Sequence, residues 1–198
     1  NRITDEGAGF IADSDSLSQL EELNLNYNQI HGAGAIRLTH STKLQKLKTI
    51  QLTYNPIERS GQDAWKRFQL MEWFKDLNRA NKLNEVGAGL IGDLGVDVLL
   101  QSPFASKLKI LDLKNNDLTD KSVIALSNSE KLKHLTALNL SKNNITDAGA
   151  KALAYSKNLE KLKKLDLNFN RIGDEGALAI AQSPNFAKLE SLKLGQNK

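Results

Sequence analysis

The sequence predicts an α/β solenoid, a curved stack of coils with parallel strands on its concave side and helices on its convex side. Three observations predict it. The chain repeats itself at intervals of 27 residues. One half of each repeat alternates apolar and polar residues with period two, and the other half spaces its apolar residues as a helix does. A unit of that size cannot bury its apolar face alone, so stability must come from stacking on its neighbours.

The strand half comes first. LEELNLNYNQI (20–30) sets the template Leu-x-x-Leu-x-Leu-x-x-Asn-x-Ile. It returns as LKTIQLTYNPI (47–57), LKILDLKNNDL (108–118), LTALNLSKNNI (135–145) and LKKLDLNFNRI (162–172), and starts again as LESLKLGQN (189–197). The chain opens on the tail of the template, NRI. The closing aliphatic residues are Ile3, Ile30, Ile57, Ile91, Leu118, Ile145 and Ile172, separated by 27, 27, 34, 27, 27 and 27. In Leu-x-Leu both leucines point into the core while the residues between them face water. The asparagine ends the strand, where its side chain satisfies backbone groups of a turn and stacked copies form a ladder.

The helix half follows as TDEGAGFIA, HGAGAIRLT, ERSGQDAWK, GDLGVDVLL, TDKSVIALS, TDAGAKALA and GDEGALAIA. Asp5, Asp93, Asp120, Asp147 and Asp174 stand where a helix N-cap is wanted. The small residues after them let each helix lie close to the neighbouring coil. Four residues beyond the glycine slot, Ile11, Leu38, Trp65, Leu99, Leu126, Leu153 and Ile180 bury the inner face. A serine then recurs (Ser14, Ser41, Ser102, Ser129, Ser156, Ser183) and is expected to bond to backbone where the helix ends.

One repeat is irregular, with a seven-residue insertion around 69–91. There NKLNEVGA (81–88) and IGDLGV (91–96) imitate the same turn twice, as a partly duplicated turn would. Just upstream, WKRFQLMEWFKDL (65–77) holds both tryptophans and the only methionine. It reads either as a larger local core or as a specialised partner loop, a choice that exposure decides. The whole of 1–198 is expected to be one domain of about seven repeats. Because the chain begins and ends within repeats and lacks an initiator methionine, it is expected to be a piece of a longer protein.

These residues resemble the leucine-rich repeat proteins along the whole chain. The helices GAKALA and GALAIA, preceded by NNITDAGA and NRIGDEGA, resemble two classes of them. One is the ribonuclease-inhibitor-like class of intracellular proteins. The other is the GALA-type set found in effectors that pathogens inject into plant and animal cells. The resemblance implies a horseshoe-shaped recognition scaffold without catalytic function, and a bacterial virulence effector as its setting. The implied location is cytoplasmic, or secreted into a host cell for an effector. GALA-type effectors usually carry an F-box; none is visible, so a ubiquitin-ligase role is not supported.

A competing motif is GAGLIG (87–92), a match to the dinucleotide fingerprint G-x-G-x-x-G, with Asp112 twenty residues on. In the repeat register, however, GDLG (92–95) copies GDEG (173–176), and Asp112 takes the slot of Asn24, Gln51, Asn139 and Asp166. The preceding RANKLNEV is too polar for the buried strand that a dinucleotide fold requires. No cofactor is expected. Motifs for phosphate loops, nucleophile elbows and zinc hydrolases are missing, so an enzyme is not expected. Cysteine is absent, which excludes disulfides, thiol catalysis and cysteine metal sites. The three histidines share no ligand spacing, so no metal is expected. No apolar run approaches the roughly 18 residues of a membrane-spanning helix.

Candidate binding residues are those that the repeat does not dictate. The concave face is expected to display Glu22, Asn24, Asn26 and Tyr27, then Gln51, Thr53 and Tyr54. Later coils add Asp112 and Lys114, then Asn139 and Lys142, then Asp166, Asn168 and Phe169. Tyr27 and Tyr54 share one slot in adjacent repeats, either as a hot-spot pair or as a shield for the asparagine turns. The expected partner is a protein rather than a small molecule, and the chain is expected to be a monomer or to self-associate weakly. Two alternatives stand beside this. A regulator of small GTPases would use an exposed arginine such as Arg37, Arg59 or Arg171. A binder of nucleic acid or anionic membrane would use the lysines of KLQKLK (43–48), KLK (107–109), EKLK (130–133) and KNLEKLKK (157–164). The net charge of +4 is carried by 21 lysines and only 6 arginines, a balance suited to solubility more than to reading phosphates.

Overall fold

The protein was analysed as a computed structural model that describes residues 1–79 and 91–197. It comprises two compact units, Asn1–Trp73 and Phe74–Lys198. In the first unit α1 (Asp5–Ala12), β1 (Glu22–Asn24), α2 (Gly32–Thr39) and β2 (Thr49–Gln51) alternate along the chain. The long helix α3 (Arg59–Arg79) comes next in sequence. The second unit contains α4 (Gly92–Gln101), β3 (Ile110–Asp112), α5 (Asp120–Asn128), β4 (Ala137–Asn139), α6 (Asp147–Ala154), β5 (Lys164–Asp166), α7 (Asp174–Ala181) and β6 (Ser191–Lys193).

The sequence period is the sheet register. In the first unit Leu23 lies opposite Ile50 in a parallel pair. In the second, Leu111, Leu138, Leu165 and Leu192 stand side by side across β3-β4-β5-β6. Each leucine meets its own copy one period away. The inward residues of Leu-x-Leu are buried as period two demands: Leu25, Ile50 and Leu52 in one unit, Leu111, Leu113, Leu138, Leu140, Leu165 and Leu167 in the other.

At the end of each strand the asparagine ladder forms as the sequence predicts. Asn143 is buried; its amide donates to the carbonyls of Leu140 (2.9 Å) and, one coil back, Leu113 (3.0 Å). Its Oδ1 accepts from the backbone N–H groups of Asn116 and Leu118, both at 3.0 Å. Asn55 and Asn170 bond in the same way to the coil before them. Just before each ladder asparagine, the chain turns through the left-handed region at Tyr27, Tyr54, Asn115, Lys142, Phe169 and Gln196, with φ between 55° and 58°. A side chain there costs roughly 1–2 kcal/mol that glycine avoids.

The aspartates cap a helix, but not their own. Thr119 and Thr146 are the N-caps of α5 and α6, and the aspartates that follow them are first-turn residues. The side chains of Asp5, Asp93, Asp120 and Asp147 reach the start of the next coil's helix instead. Asp120 accepts from the Thr146 N–H (2.8 Å), the Thr146 hydroxyl (2.6 Å) and the Gly149 N–H (3.0 Å). Asp147 does the same at Gly173 and Gly176, and Asp93 at Thr119 and Ser122. This explains the small residue in the slot: a Cβ on Gly149 would stand 2.5 Å from Asp120 Oδ1. Four of the six recurrent serines donate to backbone as expected: Ser41 to Ala12 O, Ser156 to Ser127 O and Ser183 to Ala154 O one coil back, and Ser102 to Leu99 O in its own coil.

The irregular repeat begins in a helix. α3 has 21 residues where α1, α2 and α4 to α7 have 8 to 10, so the added length enters in part as helix. Trp65 packs with Phe68 against the first unit's core, and its indole N–H donates to the Ile50 carbonyl at 2.8 Å. For these two aromatics the core reading holds. The imitated turn at 81–88, and Gly87 and Gly89 of the fingerprint, lie outside the described residues. Gly92 begins α4 with φ of 60°, and Asp112 ends β3 as an ordinary repeat strand would.

Candidate functional site

On the strand face of the first unit, the positions between the core residues carry Glu22, Asn24, Thr49 and Gln51, all exposed. Asn26 is tied down: its amide donates to Gln51 Oε1 (3.2 Å) and its Oδ1 accepts from the Thr53 N–H (2.8 Å). Beside this row the rings of Tyr27 and Tyr54 stack with centroids 4.4 Å apart and planes 15° from parallel. They remain 61% and 69% exposed. The shared left-handed slot, repeated at the spacing of neighbouring strands, brings the two faces together.

The second unit fills the equivalent positions differently. Across β3 to β6 one row reads Ile110, Ala137, Lys164, Ser191, and the row below reads Asp112, Asn139, Asp166, Lys193. Together they line an open concavity of about 330 Å³. Asp112, Asn139 and Asp166 are half-buried and partly committed, since each accepts the N–H two residues on, at Lys114, Ser141 and Asn168. Asp166 also pairs with Lys193 at 3.5 Å. Asn168 accepts from the Gly195 N–H at 2.6 Å. In the left-handed slot Lys142 Nζ sits 5.4 Å from the centroid of the Phe169 ring.

Each anticipated residue therefore reaches the strand face of its own unit, but the set divides. Tyr27, Tyr54, Lys114, Lys142 and Phe169 are exposed side chains with surface to offer. Asn24, Asn26, Asp112, Asn139, Asp166 and Asn168 spend hydrogen-bonding capacity on holding turns. Sequence reasoning missed Ile110, which is 49% exposed. The signal was its register, because Glu22, Thr49 and Lys164 occupy the same slot.

Three lysines of the seam pair with carboxylates of a neighbouring coil. Lys43 pairs with Asp15 (2.5 Å), Lys48 with Glu21 (2.6 Å) and Lys163 with Glu190 (2.7 Å). The hydrogen bond and charge of Lys48 hold the Glu21 carboxyl below its ordinary pKa, and Lys163 does the same to Glu190. Lys131 turns inward and donates to the last carbonyls of α4, Leu100 (2.7 Å), Gln101 (3.2 Å) and Ser102 (3.1 Å), where a cation also meets the negative end of the helix dipole. Arg37 of α2 pairs with Asp13 in the loop after α1, Arg59 begins α3, and Arg171 bridges to Thr146 through its backbone. Among the described residues, no three His, Asp or Glu side chains are grouped to hold a metal ion. No described helix is long and apolar enough to cross a membrane.

Comparison with known proteins agrees with this geometry. The family profile described as Leucine Rich repeat matches residues 17–38, 105–127, 131–154 and 158–181. No curated protein sequence matches the chain. Among solved structures, an internalin from Listeria monocytogenes is similar at 24% identity and a TM-score of 0.28, over 92% of this chain and 44% of that one. The chain thus spans less than half of that relative's length. Leucine-rich repeats in general mediate protein–protein recognition and are typically non-catalytic scaffolds. With matched repeats and in-register parallel strands alternating with helices, each unit has the α/β leucine-rich repeat fold.

Proposed function

We propose that the chain is a non-catalytic scaffold that recognises a protein partner on its strand face, where exposed aromatics supply the anchor. The observation that carries this reading is the stacked pair Tyr27 and Tyr54, largely open to solvent in a backbone conformation that bulky residues avoid. Aromatic residues are enriched among the few that dominate binding energy at interfaces. The resemblance of the α6 and α7 helices to the GALA-type set extends the proposal to the recognition part of a bacterial effector.

The test replaces both tyrosines by asparagine, which Asn115 shows is compatible with the slot. Capture of the partner from a lysate should fall by at least about tenfold, the scale of one lost hot spot. The melting temperature should hold nearly constant, because the rings bury little. Undiminished capture by a folded double variant would reject the tyrosine anchor.

A further inference from the structure

The concavity of the second unit has a polarity of its own. Its upper row runs from apolar to basic: Ile110, nearly half exposed, then Ala137, then Lys164. Its lower row carries two acids, Asp112 and Asp166, on either side of Asn139. The neighbouring cations are already answered within the fold, Lys193 by Asp166 and Lys163 by Glu190. Lys164 is exposed on this face, and its charge reaches Glu190.

We infer that this concavity binds an extended segment of a protein partner in which an aliphatic side chain is followed two residues later by glutamate. The inference rests on the recognition role proposed above and names the chemistry of the second unit's part in it. Ile110 and Lys164 are two strands apart, about 10 Å at the usual inter-strand spacing. In an extended peptide, residues i and i+2 point the same way and lie about 7 Å apart. An aliphatic residue laid on Ile110 and Ala137 thus directs a glutamate, with its longer reach, onto Lys164. Asp112 and Asp166 repel acid elsewhere, so a uniformly acidic segment is disfavoured and the charge is confined to one end. Burying Ile110 supplies the apolar gain, and the ion pair supplies direction and register.

A random heptapeptide library displayed on phage, selected against the full chain, tests this. Wild type should enrich aliphatic-x-Glu sequences. A synthetic peptide of the enriched sequence should bind Ile110→Ser and Lys164→Glu at least about tenfold more weakly, with melting temperatures unchanged because both side chains are exposed. Selection on Lys164→Glu should replace the glutamate by lysine or arginine, a reversal that a merely structural role would not produce. Enrichment of sequences without an acid, binding that ignores both substitutions, or no enrichment at all would overturn the proposal. So would a dimer in solution that Ile110→Ser dissolves, since a second copy would then be the occupant. Peptides lost only on the Tyr27→Asn, Tyr54→Asn variant would overturn it while leaving the tyrosine anchor intact.

Discussion

One slot, used differently in the two units, separates what the repeat dictates from what it leaves open. In the first unit adjacent coils place Tyr27 and Tyr54 in the left-handed position, and the rings stack. In the second, Lys142 and Phe169 hold the same position in adjacent coils, and a cation lies near a ring. The backbone is alike at all four residues, φ 55° to 58°, so side-chain chemistry does not set the turn. The ladder asparagine and the hydrogen bonds one coil away set it. The identity of the exposed residue is then decided by what it meets outside the stack.

The strongest way to break this comparison is to remove the skeleton that both units share. Asn143→Ala deletes a buried amide that serves five backbone groups on two coils, and should cost about 3 kcal/mol by the price of leaving buried groups unpaired. Asn28→Ala, whose one partner on the previous coil is the Ile3 N–H, should cost less. Denaturant midpoints measure both, and equal losses would show that position in the stack does not matter. A finer comparison isolates the turn. Lys142→Gly and Lys142→Ala both remove the cation from Phe169, but only glycine relieves the left-handed strain. Glycine should therefore be the more stable of the two by about 1 kcal/mol. Alanine matching or exceeding it would remove the case for strain at Tyr27 and Tyr54 as well.

The smallest effect concerns pH. Burial raises the pKa of Asp93, but hydrogen bonds from Ser122 and Thr119 and the charge of Lys121 outweigh it and hold the carboxyl below its ordinary value. A depressed folded pKa contributes stability that is complete above the unfolded value of about 4 and is lost as the pH falls through the folded one. Asp93→Asn should therefore flatten the melting-temperature profile below about pH 4, while leaving the strand face of both units unchanged. An acid limb identical to wild type would show that Asp93 is not held in this way.

Most of the architecture was legible because each coil repeats the pattern that buries it. The leucines, the ladder asparagines and four of the recurrent serines do in the structure what their spacing requires. What escaped includes relations defined between coils rather than within one. The aspartates read as caps for the helices they begin, yet Asp120 caps the helix of the following coil, a relation that no single repeat displays. Ile110 was left off the expected concave row, although its register is that of Glu22, Thr49 and Lys164. The extra length announced itself as a duplicated turn through its glycines, whereas the described part of it is an extension of α3.

The cross-coil hydrogen bonds also govern how such a chain can change. Asn143, Asp120 and Ser156 each reach partners 25 to 30 residues away, so every spacing in the stack is locked to its neighbours. Growth or loss in a stacked stretch is therefore quantised: a whole coil can be gained or removed with its contacts regenerated, while a fraction of one misaligns every bond beyond it.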